Sequence, residues 1–330
     1  MQKKIRIGVL GVSNHFVKRI ILPVSKLENC EIYAIASRDI TKAQKAASEF
    51  SIPVAVGSYE ELIAHPEVDA IYNPLPNHLH AEWTIKALEA RKPVLCEKPL
   101  AMNAAEAEIM AKTSERTGVP LMEAFMYRFH PIWRHAKDMI KYNQLGAVTH
   151  IHAIFSYNNP DPANIRNVAE YGGGGLMDIG CYTNSVPRFL TGMEPKRVVS
   201  LMEFDSSNDT DINASGVVDY GSFQATFNVS TRSEPFQRVQ VLCTGGSIVI
   251  HIPFNIYYDV PAVMTISTGQ GTRDVTFPLA DSYGIMFSEF SDAVINKKPM
   301  PISVSDAVAN MKLLDALARS AKNNGWEDVK

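Results

Sequence analysis

The chain has 330 residues, of which 46% are hydrophobic and 20% are charged, a composition typical of a globular protein long enough for two domains. Its formal net charge of −3 provides no basic face, and no segment is apolar for long enough to span a bilayer, so we expect neither nucleic acid nor a membrane as a partner. The four cysteines are widely spaced and form no CxxC pair, which argues against a disulfide framework or a zinc site and favours a cytoplasmic protein.

Strand and helix patterns alternate over the first third of the chain. Strands are predicted at 5–10, 31–37, 54–57, 69–75, 93–97 and 120–126. The helices between them are predicted at 15–27, 41–50, 58–65, 80–90 and 103–118. Because parallel strands are joined by such helices, this rhythm predicts a doubly wound parallel sheet, the Rossmann arrangement, over residues 1–124.

From residue 125 onward, strands follow one another with few helices between them. The β-rich stretches lie at 147–157, 197–204, 214–220, 222–230, 238–252 and 263–269, and the helices at 131–142, 285–296 and 304–323. This pattern predicts an α+β domain over residues 125–330 with a large, mostly antiparallel, open-faced sheet. Helices can cover one face of that sheet, so its apolar residues predict a homodimer or higher homo-oligomer through the other face.

A glycine turn follows the first strand in GVLGVSNHF (8–16). Gly11 takes the first position of the dinucleotide fingerprint G-x-G-x-x-G, whereas Ser13 and Phe16 replace the second and third glycines. Taken alone, this is only a strand-to-helix turn, but the succession of strand, turn, helix and strand favours a pyrophosphate at the helix start. The expected cofactor contacts in this turn are Gly11, Val12, Ser13, Asn14 and His15.

The second strand ends in Ser37-Arg38, where an NAD enzyme usually has an acidic residue for the ribose hydroxyls. A hydroxyl and a guanidinium suit a 2′-phosphate instead, and Lys42 adds a second cation at the start of the next helix. A surface arginine after a strand is the competing interpretation, and Asp39 opposes phosphate binding if its side chain turns that way. We expect NADP to be preferred over NAD.

The fourth strand runs into NPLPNHLH (73–80), in which two prolines end the strand at the sheet edge where ligands bind. His78 and His80 form no convincing metal pair, because no carboxylate or cysteine lies nearby, and no metal site is predicted. Helix capping and cofactor contact are the better interpretations. The expected cofactor contacts here are Pro74, Leu75, Pro76, Asn77 and His80.

The fifth strand ends abruptly in Glu97-Lys98-Pro99, with two opposite charges and a proline. Together with the glycine turn and the motif P-x-P-N-x-x-H at 74–80, this E-K-P motif resembles the glucose–fructose oxidoreductase / inositol dehydrogenase / rhizopine catabolism (Gfo/Idh/MocA) family. The stretches MEAFMYRFHP (122–131) and GGGLMDIGCY (173–182) are similar to the subgroup with dimeric dihydrodiol dehydrogenase and NADP-dependent D-xylose dehydrogenase. The resemblance covers essentially the whole chain.

The resemblance implies a catalytic role for Lys98, with a cis peptide bond to the following proline, and places Glu97 beside the cofactor. It also implies that Asp178 and Tyr182 are catalytic; they are four residues apart and so share a helix face. A nearby lysine ammonium favours the phenolate, which makes Tyr182 a credible general acid/base, while Asp178 orients a substrate hydroxyl. Without the resemblance, the pair is a helix-start aspartate and a core tyrosine.

The same resemblance implies further contacts with the cofactor and the substrate. Those with the cofactor are Arg128 and Tyr283, and those with the substrate are Tyr127, Asn164, Arg166, Asp178 and Tyr182. Two departures from the subgroup stand out: Ser185 replaces the usual asparagine, and Pro187 is expected to kink the helix. Substrate contacts are therefore expected to differ from those of the named enzymes.

These features predict an NADP-dependent enzyme that moves a hydride between nicotinamide C4 and the carbinol or carbonyl carbon of a sugar or cyclic polyol. Two alternatives stay open. A non-catalytic NADP-binding regulator would not need Lys98, Asp178 and Tyr182 together. A reductase of non-sugar carbonyls would use the same residues.

Overall fold

The computed structural model describes residues 4–330, which divide by their internal contacts into two units. The first unit holds the chain up to Met126 together with Tyr283–Val308. The second unit holds Tyr127–Ser282 together with Ala309–Lys330. The sequence instead predicted one continuous second domain from residue 125 to the end.

A late helix at Ser282–Asn296 accounts for this difference. Phe287 on this helix packs edge-on against Tyr72, with 5.1 Å between the ring centroids. The side chain of Asn29 donates a hydrogen bond to the carbonyl oxygen of Ser288 at 2.8 Å. The late helix therefore completes the core of the first unit.

Six parallel strands form the sheet of the first unit. They are β1 (Ile5–Leu10), β2 (Cys30–Ala36), β3 (Val54–Val56), β4 (Ala70–Asn73), β5 (Val94–Cys96) and β6 (Leu121–Glu123). The helices between them are α1 (Ile21–Ser25), preceded by a π-helical turn at Phe16–Ile20, α2 (Ile40–Phe50), α3 (Tyr59–Ala64), α4 (His80–Glu89) and α5 (Ala104–Thr117). The strand order β3-β2-β1-β4-β5-β6 confirms the predicted doubly wound sheet.

The carboxyl ends of these strands meet along one edge of the sheet. The strand order changes direction at β1, which pairs with both β2 and β4, and nucleotides bind at such a switch point. β4 is shorter than predicted because Pro74 cannot donate a hydrogen bond to the next strand. The turn at Gly11, the pair Ser37-Arg38 and Lys98 all follow strands at this edge.

Nine strands form the sheet of the second unit. They are β7 (Val148–Asn158), β8 (Arg197–Phe204), β9 (Asp211–Asp219), β10 (Gln224–Ser230), β11 (Arg232–Cys243), β12 (Gly246–Ile250), β13 (Ala262–Thr268), β14 (Gly271–Phe277) and β15 (Glu327–Asp328). The order is β14-β13-β12-β11-β7-β10-β9-β8-β15, and only β7 and β10 pair in parallel among the described strands of this sheet. The predicted mostly antiparallel sheet is confirmed.

The remaining helices are α6 (Pro131–Lys141), α7 (Cys181–Thr191), α8, which is the late helix at Ser282–Asn296, and α9 (Val304–Asn323). A π-helical turn at Leu176–Gly180 leads into α7, and short 3-10 turns lie at Asn77–Leu79, Met126–Phe129, Ile165–Asn167 and Ala169–Tyr171. Within residues 4–330, no helix is both long enough and apolar enough to cross a membrane.

One face of the second sheet is packed and the other is open. The apolar residues behind the dimer prediction include Phe227 and Val229, and both are buried in the packed face, because side chains alternate along a strand. On the open face, Thr226 Oγ1 lies 2.7 Å from Nδ1 of His152, and Leu201 is 73% exposed. The open face is thus polar at β7 and β10, and exposed apolar side chains lie on other strands to either side, such as Leu201 on β8 and Leu242 on β11. A homodimer through it stays a prediction.

A buried carboxylate explains the glycine run before α7. The backbone N–H of Leu176 donates to Asp211 Oδ2 at 2.6 Å, and that of Gly175 also bonds this carboxylate. Gly174 has φ +109°, and a Cβ there would collide with Asp211 Oδ1, so only glycine fits. Asp211, at the start of β9, therefore caps the π-helical turn at Leu176–Gly180. The sequence analysis did not identify this residue.

We predict that Asp211→Ala lowers the free energy of unfolding by about 1–3 kcal/mol at pH 5, because buried N–H groups lose their acceptor, and by less at pH 8. Burial raises the pKa of Asp211 to about 6, although the backbone N–H groups favour its charged form. An unfolded aspartate has a pKa of about 3.9, so this group favours folding most below that pH, and its contribution is lost as the pH rises through about 6.

Urea unfolding at the two pH values measures the difference. The exposed Asp259 provides a matched control, since Asp259→Ala should change stability by less than about 0.5 kcal/mol at either pH. A loss for Asp211→Ala that is larger at pH 8 than at pH 5 would contradict this account.

Candidate active site

At the turn after β1, the main chain is open to the close approach of a ligand. Gly11 has φ +86°, and a Cβ there would lie 3.1 Å from Leu75 Cδ2 and 3.5 Å from the hydroxyl oxygen of Tyr59. Both conformation and space therefore require glycine, which fits a phosphate group bound against the backbone. Ser13 Oγ accepts a hydrogen bond from the Phe16 N–H at 3.1 Å, and Phe16 is fully buried. Ser13 and Phe16, which replace the second and third glycines of the fingerprint, thus stabilise the start of the following helix.

At the end of β2, Arg38 is followed by Asp39, whose carboxylate already accepts hydrogen bonds within the protein. Asp39 is the N-cap of α2, and its Oδ1 accepts hydrogen bonds from Thr41 N at 3.0 Å and Thr41 Oγ1 at 2.6 Å. The bond from the Thr41 side chain is the main cause of the lowered pKa of Asp39. Ser37 Oγ accepts from the Asp39 N–H at 3.2 Å, and burial raises the pKa of the Tyr59 phenol, an effect that the charge of Arg38 opposes. The Asp39 carboxylate therefore faces α2, and the charge of Arg38 leaves the end of β2 electropositive.

His80 holds two loops together. It is fully buried, with Nε2 at 2.7 Å from Leu75 O and Nδ1 at 2.9 Å from Pro99 O. Both ring nitrogens face main-chain carbonyl oxygens, and the cofactor contact proposed for His80 stays a prediction. His78 lies in the same loop, where burial and then the charge of Arg38 lower its pKa. Among residues 4–330, the structure brings together no group of three His, Cys, Asp or Glu side chains that could hold a metal ion.

Lys98 follows β5, and its peptide bond to the next proline is cis. The preceding Glu97 accepts a hydrogen bond from the Tyr72 hydroxyl at 2.7 Å, and the same oxygen lies 3.5 Å from His15 Nε2. Burial raises the pKa of Glu97, but His15, Tyr72 and Lys98 together outweigh this effect and lower it below its usual value. The ring of His15 meets that of Tyr283 edge-on, with 5.5 Å between centroids. Glu97 is therefore a buried anion that orients His15 beside Tyr283.

In the second unit, one oxygen of Asp178 is held by two side chains. The Tyr157 hydroxyl donates to Oδ2 at 2.7 Å, and Arg166 Nε donates to it at 3.0 Å. Burial and then the Asp178 carboxylate raise the pKa of Tyr157, which therefore stays a protonated donor, and the same carboxylate raises the pKa of Arg166. Asn164 Oδ1 accepts from the Arg166 N–H at 3.1 Å and so caps the short turn that carries the arginine.

Tyr182 lies in the first turn of α7 and is only 6% exposed, with its ring 5.3 Å from that of Phe254. The Tyr127 hydroxyl lies 2.8 Å from Ser185 Oγ, which in turn donates to the Tyr182 carbonyl oxygen at 2.8 Å. Tyr127 is fully buried and supports α7 from within, and the substrate contact proposed for it stays a prediction. The serine that departs from the subgroup belongs to this internal chain of hydrogen bonds, and α7 continues through Pro187.

Arg128 is also buried in the second unit. Its Nε donates to the Tyr127 hydroxyl at 3.4 Å, and its guanidinium carbon lies 5.3 Å from the ring centroid of Phe189. The cofactor contact proposed for Arg128 stays a prediction.

The predicted site residues thus form two groups, one in each unit. In the first unit, those that follow the carboxyl ends of strands are Gly11, Val12, Ser13, Asn14, His15, Ser37, Arg38, Lys42, Pro74, Leu75, Pro76, Asn77, Glu97 and Lys98. In the second unit, Arg166 interacts electrostatically with both Asp178 and Tyr182. Sequence reasoning missed Tyr157, whose only sequence signal was its place at the end of a strand pattern.

Two family models match the chain. One, described as an oxidoreductase family with an NAD-binding Rossmann fold (GFO_IDH_MocA), matches residues 5–125, and the other, the GFO/IDH/MocA C-terminal domain, matches residues 133–249. The two matches together extend over most of both units and agree with the resemblance read from the sequence motifs.

Individual relatives match over nearly their full lengths. An uncharacterized oxidoreductase of Rhizobium meliloti is 37% identical over 98% of this chain and 99% of its own. A D-xylose 1-dehydrogenase (NADP(+)) of Haloferax volcanii is 38% identical over 96% of this chain and 97% of its own. A solved structure of a 3-ketoreductase from Actinomadura kijaniata, in complex with NADP and TDP-benzene, has a TM-score of 0.90 at 26% identity and covers 96% of this chain and 98% of that one.

Proposed function

Because the chain belongs to the GFO/IDH/MocA family of oxidoreductases, we propose that it is an NADP-dependent dehydrogenase or reductase of a sugar or cyclic polyol. The observation that carries this proposal is Asp178, whose carboxylate accepts hydrogen bonds from two side chains and which lies four residues before Tyr182. The chain also has Lys98 at the edge of the parallel sheet where the carboxyl ends of the strands meet. A non-catalytic regulator would need only the cofactor-binding residues at that edge of the sheet. The D-xylose dehydrogenase among the relatives supports a sugar as substrate.

Lys98 and Tyr182 are the proposed acid/base pair. Bound NADP supplies the hydride acceptor, and its reduced form the donor, at nicotinamide C4. The compact ammonium of Lys98 stabilises the negative charge that develops on the substrate oxygen. Tyr182 takes the hydroxyl proton during oxidation and returns it during reduction.

Asp178 orients the substrate hydroxyl in this proposal. Its carboxylate cannot rotate without losing the bonds from Tyr157 and Arg166, so the direction of the acceptor is fixed before a substrate binds. Tyr157 is unsuited to exchange the proton, because burial and the Asp178 charge raise its pKa. This leaves Tyr182 as the phenol for that step.

We predict that Lys98→Met reduces kcat by at least about a hundredfold and leaves the affinity for NADPH within about twofold, because the charge acts chiefly in the transition state. Initial rates with a panel of aldoses, polyols and aromatic carbonyls measure turnover, and NADPH fluorescence measures binding. Lys45→Met, on the exposed side of α2, is the matched control and should behave as wild type. Wild-type turnover by Lys98→Met would remove this lysine from the chemistry, and activity on aromatic carbonyls alone would overturn the sugar assignment.

Tyr182→Phe should reduce kcat by about 10²–10⁴-fold and flatten the pH–rate profile, because it removes the group that exchanges the proton. Tyr157→Phe is the matched control on the same carboxylate. It should lower kcat through the looser Asp178 but keep the shape of the wild-type profile, since Tyr157 stays protonated. If the two variants alter the profile alike, Tyr182 has no special part in proton transfer.

The cofactor preference is proposed to come from the end of β2. Arg38 can form charge-assisted hydrogen bonds with a 2′-phosphate, and Lys42 adds a second positive charge in the first turn of α2. The side chain of Asp39 is turned to cap that helix, so it does not oppose the phosphate. These contacts favour NADP over NAD.

We therefore predict that the wild-type protein prefers NADP(H) to NAD(H) by at least about tenfold in kcat/KM, since one charge-assisted hydrogen bond is worth about 1.5–3 kcal/mol. Arg38→Ala should erase most of this preference and spare activity with NAD(H). Steady-state kinetics with both cofactors measures the ratio. Equal use of the two cofactors by the wild-type protein would show that this assignment is wrong.

A further inference from the structure

A buried asparagine, Asn167, closes the loop that carries Arg166. We propose that Asn167 is a positioning residue for substrate binding, which acts by fixing the shape of residues 159–167. The guanidinium of Arg166 is thereby held on Asp178, where its outer nitrogens bind two neighbouring oxygens of the substrate. This inference rests on the proposed function, because it takes the substrate to be a sugar or polyol. Asn167 acts through Arg166 and does not itself touch the substrate.

The side chain of Asn167 joins the two ends of the loop. It is only 2% exposed, and its Nδ2 donates to the carbonyl oxygens of Asn159 at 2.9 Å and Asp161 at 2.7 Å. An amide nitrogen has two hydrogens, so both are used within the loop. One buried side chain therefore ties the end of residues 159–167 to their beginning, and the loop cannot open without breaking both bonds.

Arg232, the first residue of β11, supports the same side chain. Its Nη1 donates to Asn167 Oδ1 at 3.3 Å and to the Asn159 carbonyl oxygen at 2.7 Å. Its Nη2 donates to Asp205 Oδ2 at 3.1 Å, so a carboxylate balances the charge of this guanidinium, which is 19% exposed. The loop is therefore fastened to the sheet of the second unit as well as to itself.

The chain before α7 holds Arg166 at two points. The carbonyl oxygen of Arg166 accepts from the Gly174 N–H at 2.9 Å, and its Nε donates to Asp178 Oδ2 at 3.0 Å. Because Nε makes the bond to the carboxylate and 42% of the side chain is exposed, the two outer nitrogens are open to a ligand. A guanidinium presents these N–H groups in one rigid plane, which suits two neighbouring oxygens such as the hydroxyls of a sugar.

Removal of the Asn167 side chain should loosen the loop without unfolding the protein. The Asn159 carbonyl oxygen keeps its bond from Arg232. The Asp161 carbonyl oxygen keeps a bond from the Asn164 N–H at 3.1 Å. Both acceptors thus retain a partner, and the main loss is the connection between the two ends of the loop.

The test separates substrate affinity from turnover. With the aldose or polyol of the panel that the wild type turns over fastest, Asn167→Ala should raise KM by about tenfold and change kcat by less than about threefold. The reason is that Arg166 binds the substrate, whereas Asp178 keeps the bond from the Tyr157 hydroxyl. The affinity for NADPH, measured by fluorescence titration, should stay within about twofold.

Two further variants show that the donated bonds matter. Asn167→Asp keeps the size of the side chain and its acceptor for Arg232 but loses both bonds that Nδ2 donates, so it should raise KM at least as much. The exposed Asn158, at the end of β7, is the matched control, and Asn158→Ala should behave as wild type. Hydrogen exchange measured by mass spectrometry should become faster at residues 159–168 in both Asn167 variants and in no other segment.

A double variant shows whether Asn167 acts through Arg166. Arg166→Met should raise KM, and adding Asn167→Ala to it should raise KM no further. Additive increases in the double variant would overturn the inference, as would a loss of kcat alone in Asn167→Ala. If the wild type turns over no aldose or polyol, the proposed function fails together with this inference, whereas turnover with wild-type KM in both Asn167 variants overturns this inference alone.

Discussion

Leaving a polar group buried without a partner costs about 1–3 kcal/mol, and this constraint fixes the main chain around the proposed catalytic residues in both units. In the first unit, His80 links the carbonyl oxygens of Leu75 and Pro99, so the loops after β4 and β5 keep a fixed spacing. In the second unit, the buried Asp211 accepts the N–H groups at the start of the helical turn that carries Asp178. Both anchors, His80 and Asp211, are buried inside the protein.

The same constraint determines which charges remain for ligands. Asp39 caps its own helix, Glu97 bonds Tyr72 and His15, and Asp178 is held by a phenol and a guanidinium. Each of these carboxylates is engaged by groups within its own unit. At the end of β2 the result is an electropositive edge that suits a phosphate, and at Asp178 it is an acceptor of fixed direction.

The elements and the motif-bearing turns could be predicted from the sequence, because periodicity, proline and glycine act locally. The roles of Asp211 and Tyr157 could not, since each depends on a partner that only the folded chain brings near. The surroundings of His80 could not be predicted for the same reason, since the two carbonyl oxygens beside its ring come from separate loops. Phe227 shows another limit, since alternation reveals that a strand has two faces but not which face is covered.

Transfer of a labelled hydride tests the central claim most directly. NADPH carrying deuterium at C4, prepared as each of its two stereoisomers, is incubated with the protein and a panel of ketoses, aldoses and cyclic ketones, and the products are analysed by mass spectrometry. The account predicts that one stereoisomer delivers deuterium to the carbinol carbon of a sugar or polyol product, and that Lys98→Met abolishes this transfer. NADPH that binds tightly but passes no deuterium to any member of the panel would contradict it and favour a regulator.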